Sequence, residues 1–169
     1  MKNNKLQVAV IGCGGIANQK HFPALKSQAD KCEMVAFCDI QIERAEKAAK
    51  EYGSADAKVY QDYNELLKDE NIDVVHICTP NVSHSPIAVA AFEAKKHVLC
   101  EKPMAATTED AQKMMDAWKK SGMKFTIGYQ NRFRTDAQAL KRACEEGKLG
   151  EVYFAKAHAV RRRAVPTWG

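Results

Sequence analysis

The six cysteines of this 169-residue chain form no CxxC pair and no zinc-ligand spacing, and no metal site is read elsewhere in the sequence. No run of about 18 apolar residues occurs, which excludes a membrane-spanning helix. No signal-peptide cleavage pattern follows Met1-Lys2-Asn3-Asn4-Lys5, which leads straight into strand-like residues. There is no repeat and no low-complexity linker. A large excess of either charge sign is lacking. Against 21 Asp and Glu stand 26 Lys and Arg, a net +5 that owes much to Arg161, Arg162 and Arg163. So mild an excess excludes an acidic or disordered chain and does not argue for nucleic acid. Cys38, Cys78 and Cys100 sit inside apolar runs and read as buried thiols of a reducing cytoplasm. A disulfide framework is the alternative. It is the weaker one, because a chain 46% apolar and of this length buries a sizeable core without staples.

At about 100–200 residues per domain, the length allows one domain, or one and the start of another. Six short, nearly continuous apolar runs read as strands: Leu6 to Ile11, Glu33 to Cys38, Lys58 to Tyr60, Val74 to Cys78, His97 to Cys100 and Lys124 to Ile127. Such runs are expected where both faces of a parallel sheet are covered. Helical stretches fall between them, at 41–52 with Gly53 as its stop, at 84–95 and at 108–121. In the second of these Ser85 is placed to cap and Pro86 to stand at the first helical position. Thr135-Asp136-Ala137-Gln138 matches a capping box for a further helix closed by Gly147. The first helix, from Ile16, meets Pro23 and should be kinked or short. The alternation predicts an α/β fold with a Rossmann-type doubly wound parallel sheet. From Gly150 to Val160 the pattern partly alternates and reads as one longer strand.

Gly12-Cys13-Gly14-Gly15-Ile16-Ala17 is GxGxxA directly after the first strand. Gly12 permits the tight turn, Gly14 lets backbone approach a pyrophosphate, and Ala17 allows close helix–strand packing. Asp39 ends the second strand 22 residues after Ala17, where its carboxylate would accept hydrogen bonds from an adenosine ribose diol. A 2′-phosphate would face that charge, and Ile40 and Gln41 offer no cation, so NAD is favoured over NADP. The rival is a glycine-rich turn in another α/β fold.

These residues, with Thr79-Pro80-Asn81, His84 and Cys100-Glu101-Lys102-Pro103, resemble the Gfo/Idh/MocA family of sugar oxidoreductases. Tyr129 to Phe133 and the terminal Arg-Arg-Arg-x-x-Pro-x-Trp-Gly are similar to family segments too. The resemblance implies a catalytic role for Lys102 at the nicotinamide end, and a cis Pro103 that aims it. A desolvated lysine there could move the substrate's hydroxyl proton or orient it as a cation; the bland reading is a surface lysine in a loop. Cofactor contact is likewise implied for Gly15, Ile16, Thr79, Pro80, Asn81, His84, Glu101, Asn131 and Arg132. Thr79 to Asn81 could instead be an ordinary turn, His84 could serve the following helix start, and Glu101 could pair with a cation or hold the loop. His76 reads as a core histidine; His21, His97 and His158 show no partner spacing. For Arg161 to Arg163 three readings stand: a solvated strand end, a segment crossing the cleft with Trp168, or a nucleic-acid patch.

The resemblance also implies a further domain on a large open sheet, carrying the rest of the catalytic set and the oligomer contacts. The expected organisation is therefore a dinucleotide-binding domain over 1–130. Residues 131–169 would be a connecting helix and the first strand of a truncated second α/β domain. The whole would transfer hydride from a sugar or cyclitol hydroxyl carbon to NAD, in the cytoplasm and as a possible homo-oligomer. The rivals are a non-catalytic NAD-binding module and an NAD-dependent glycosidase of the same family.

Overall fold

The computed structural model describes residues 4–160 and Arg162. Arg161, Arg163 and Trp168, singled out above, lie outside the described residues. The chain divides into two compact units, Met1–Gly128 and Tyr129–Gly169.

The first unit is built on six parallel strands: β1 (Leu6–Ile11), β2 (Cys32–Cys38), β3 (Lys58–Tyr60), β4 (Val74–Ile77), β5 (His97–Cys100) and β6 (Phe125–Ile127), in the order β3-β2-β1-β4-β5-β6. Their apolar runs are unbroken because both faces are covered. On one face Ala9, Ile11, Val75, Ile77, Val98 and Cys100 pack with Ile87, Phe92 and Met114. On the other, Val10, Met34 and Phe37 pack with Ala17, Phe22, Ala45 and Ala48. Four helices supply those covers: α2 (Ile42–Tyr52), α3 (Tyr63–Leu67), α4 (His84–Glu93) and α5 (Thr108–Ser121). The fifth cover starts as a π-helical turn, Ala17–His21, and continues as α1 (Phe22–Lys26). The expected effect of Pro23 takes this form: the Phe22 N–H bonds back five residues to the Ala17 carbonyl just before the proline. Phe22 is fully buried and stacks on Tyr52 at 5.0 Å between ring centres.

Two local readings are corrected. Ser85 does not cap α4. A 3-10 turn, Asn81–Ser83, started by Pro80, runs into the helix, so its entry lies earlier, and the Ser85 hydroxyl instead donates to the Asp110 carbonyl at 3.0 Å. The capping box at Thr135 does not form either. The second unit holds a 3-10 turn, Gln130–Phe133, then α6 (Thr135–Glu145), whose N-cap is Arg134. Gln138 turns its side chain to the Arg132 carbonyl, and Asp136 pairs with Arg134. Gly147 does end the helix with φ +69°.

The strand expected over 151–160 is absent among the described residues. That segment is exposed and pairs with no strand.

Candidate active site

Strand register alone assembles the site. Ile11 lies level with Cys38 and Ile77, Ile77 with Cys100, and Cys100 with Ile127. The next residues along each strand therefore share one sheet edge: Gly12, Asp39, Cys78-Thr79, Glu101-Lys102 and Gly128. Ladder-like bonds continue into this edge, from Gly12 N to Cys38 O at 2.8 Å, Cys78 N to Ile11 O at 2.8 Å and Glu101 N to Ile77 O at 2.9 Å. In a doubly wound sheet the crevice outside the carboxyl ends, where strand order reverses beside β1, is where ligands bind.

Gly12 has φ +92°, and a Cβ there would stand 2.7 Å from the Cys78 carbonyl carbon. Only glycine fits. Gly14 has no neighbour within 4 Å of a Cβ position, and Gly15 only the Gln19 amide at 3.9 Å. The chain's own packing thus has no need of glycine at 14. Asn18 donates to both the Cys13 and Gly14 carbonyls at 2.8 Å and pins the turn. Ala17 is fully buried and Ile16 is exposed.

Asp39 is 8% exposed and already employed: one oxygen accepts from Cys13 N at 2.9 Å, the other from Gln41 N at 2.9 Å. It ties the glycine-rich turn to the end of β2, a role that sequence spacing did not reveal. Each carboxylate oxygen keeps a further acceptor position.

Thr79 Oγ1 is buried without a hydrogen-bond partner, while Pro80 and Asn81 are exposed. His84 is fully buried. One ring nitrogen meets the Thr79 carbonyl at 3.0 Å and the other the Pro103 carbonyl at 2.8 Å. So placed, it staples the loops after β4 and β5 and presents no face to a ligand.

The Lys102–Pro103 peptide is cis and Lys102 is exposed. Glu101 accepts the Lys102 backbone N–H with one oxygen at 3.1 Å, and meets His21 Nε2 with the other at 2.9 Å. His21 Nδ1 lies 3.2 Å from His76 Nδ1, the rings edge to face. His21 therefore has two partners where spacing showed none, at sequence separations of 55 and 80 that only the strand order closes. Burial, and then the neighbouring His21, push His76 down to about 3, so it is neutral.

The surrounding thiols are inert. Burial first, then Asp39, pushes Cys13 and Cys38 up to about 12; burial and Glu101 do the same to Cys100. Asn131 and Arg132 lie in the second unit, on its exposed 3-10 turn. Among the described residues no group of three or more His, Cys, Asp or Glu could hold a metal ion, and no helix is long and apolar enough to cross a membrane.

A parallel sheet of this order, with a GxGxxA turn after its first strand and an acid ending its second, defines a dinucleotide-binding Rossmann domain. Residues 6–129 match the Gfo/Idh/MocA profile, described as an oxidoreductase family with an NAD-binding Rossmann fold, and the chain belongs to that family. It is 38% identical over 169 residues to the D-glucoside 3-dehydrogenase of Escherichia coli, covering 100% of itself and 47% of that enzyme. Among solved structures, a WlbA dehydrogenase from Bordetella pertussis, in complex with NADH and UDP-GlcNAcA, superposes with a TM-score of 0.82 at 31% identity, over 88% of this chain and 44% of that one. The myo-inositol dehydrogenase of Lactobacillus casei, in complex with NAD(H) and myo-inositol, gives 0.80 at 31% identity, over 86% and 43%. The chain thus spans about half the length of the relatives it matches.

Proposed function

We propose that this chain is the cofactor-binding part of an oxidoreductase that takes hydride from a hydroxyl-bearing carbon of a sugar or cyclitol. The observation that carries the reading is the meeting, on one sheet edge, of the Gly12–Ala17 turn, Asp39, Thr79 and Lys102. The residues fit a dinucleotide. Gly14 opens onto space that the chain does not use, and the Thr79 hydroxyl is buried and unpartnered.

NAD, when bound, supplies the hydride acceptor. Gly14, Gly15 and Ile16 would hold its pyrophosphate, through N–H groups that a helix start leaves without internal partners, while Gly12 and Ala17 shape the turn that presents them. Asp39 takes the adenosine ribose diol with its spare acceptor positions. Thr79, Pro80 and Asn81 line the path toward nicotinamide, and Lys102 takes or orients the substrate's hydroxyl proton. The buried, protonated thiols fit a reducing cytoplasm.

Calorimetry tests the reading. The chain should bind NAD more tightly than NADP, because a phosphate beside Asp39 meets like charge. In Asp39→Ala both should weaken, since the Cys13 N–H loses its acceptor, and the preference should narrow. Equal or tighter NADP binding by the unmutated chain sinks the nucleotide assignment.

A further inference from the structure

Between the glycine-rich turn and the Lys102 loop runs one chain of side-chain contacts that nothing so far has used. His76 stands mid-strand in β4, alternating with the buried Val75 and Ile77, and so turns its ring to the sheet face where the first helix lies. His21 is the last residue of the π-helical turn. Its ring spans the gap, with Nδ1 3.2 Å from His76 Nδ1 and Nε2 2.9 Å from Glu101 Oε1. Glu101 carries the link onward, since its other oxygen accepts the Lys102 backbone N–H at 3.1 Å. The side chains of His21 and Glu101 are only 9% and 13% exposed, so water competes little for these bonds. A Cβ on Gly128 would stand 3.2 Å from Glu101 Oε1, so the neighbouring strand end also confines the carboxylate.

The proton positions follow from donor counting. A carboxylate only accepts, so His21 carries its proton on Nε2. The Nδ1 of a neutral His21 is then an acceptor, and His76 must point a proton at it from its own Nδ1. An imidazolium at His21 would set two N–H groups against each other unless His76 moved its proton to Nε2. The ionisable groups around the pair are Glu101 on β5's end, the thiols of Cys78 and Cys100, which couple to Glu101, and the exposed Lys102.

We propose that His21 is a positioning residue for Lys102: locked by His76 through one ring nitrogen, it holds Glu101 through the other and so fixes the backbone from which Lys102 projects. This rests on the reading of Lys102 as the proton-handling residue. It also joins the helix that opens at the cofactor turn to the loop that carries the chemistry, so displacement of either is felt by the other.

Long-range proton–nitrogen spectra of the histidine-labelled chain at pH 7.5 should show His21 protonated at Nε2 and a single proton between the two facing Nδ1 atoms. In the intact enzyme, His21→Leu should lower kcat by about tenfold or more through misplacement of the reacting group, with the KM for NAD little changed. His21→Gln keeps a donor for Glu101 and should recover most of that loss. A His21 Nε2 without a proton, rapidly averaging tautomers in both rings, or an unchanged kcat in His21→Leu would each overturn the proposal. Failure of the chain to bind NAD with the ring pattern intact would instead overturn the site reading beneath it and leave the hydrogen-bond chain standing.

Discussion

Two glycines of the cofactor turn differ in why they are glycine, and the difference is measurable. Gly12 is needed by the fold: its φ of +92° and the 2.7 Å approach to the Cys78 carbonyl leave no room for a Cβ. Gly12→Ala should cost about 1–3 kcal/mol of stability through strained backbone, read as a lower unfolding midpoint. Gly14 meets nothing within 4 Å, so Gly14→Ala should unfold at the unmutated midpoint. Its NAD affinity should nonetheless fall about tenfold, equivalent to about 1.4 kcal/mol, because the added methyl occupies the ligand's space. A Gly14→Ala chain that binds NAD normally would remove this turn from the site. The same contrast marks what could be read early. GxGxxA and Asp39 announce themselves by spacing from strand ends. The Asp39 hold on Cys13, the burial of His84 and the pairing of His21 do not, since each depends on which loops the strand order brings together.

At the level of elements, the neutral His76 in β4 makes the central sheet sensitive to acid. An unfolded histidine takes a proton near pH 6.5, whereas His76 is held down to about 3. Between those values the unfolded chain binds more protons. The stability is complete above pH 6.5 and falls as pH drops toward 3, at up to about 1.4 kcal/mol per unit from this residue. Asp69 acts lower: against the upward pull of burial, hydrogen bonds from Lys58 and Asn71 bring it to about 2, so its contribution is lost only below about 3.8. Urea unfolding between pH 6.5 and 4 therefore isolates His76, and His76→Gln should flatten the slope there; equal slopes would refute the assignment. Periodicity recovered all six strands and the longer helices, because strands buried on both faces leave continuous apolar runs. It missed α3, five residues long and little more than one turn, too short to carry a period. It also took Thr135 to Gln138 for a cap, where Thr135 already lies inside the helix and the Gln138 side chain turns to the Arg132 carbonyl.

For the molecule as a whole, binding and turnover should separate. The first unit carries the residues assigned to the dinucleotide, while the chain spans about half the length of its relatives. Catalysis also needs the substrate held beside the cofactor in a site closed to water. The 169-residue chain should therefore bind NAD in the calorimeter and yet produce NADH only at background from a panel of sugars and cyclitols. Lys102→Ala should leave its NAD affinity nearly unchanged. Robust turnover would mean that the full catalytic set lies within this chain. The strand order has a last consequence, which concerns synthesis. β1 is made first but sits in the middle of the sheet, and β4, its second neighbour, begins at Val74, 63 residues after Ile11. At about 5–20 residues per second, a ribosome leaves that edge of β1 bare for several seconds. The wall against which Gly12 packs, Cys78 and Thr79, belongs to the late arrival, so the cofactor turn takes shape only when the second half of the sheet docks.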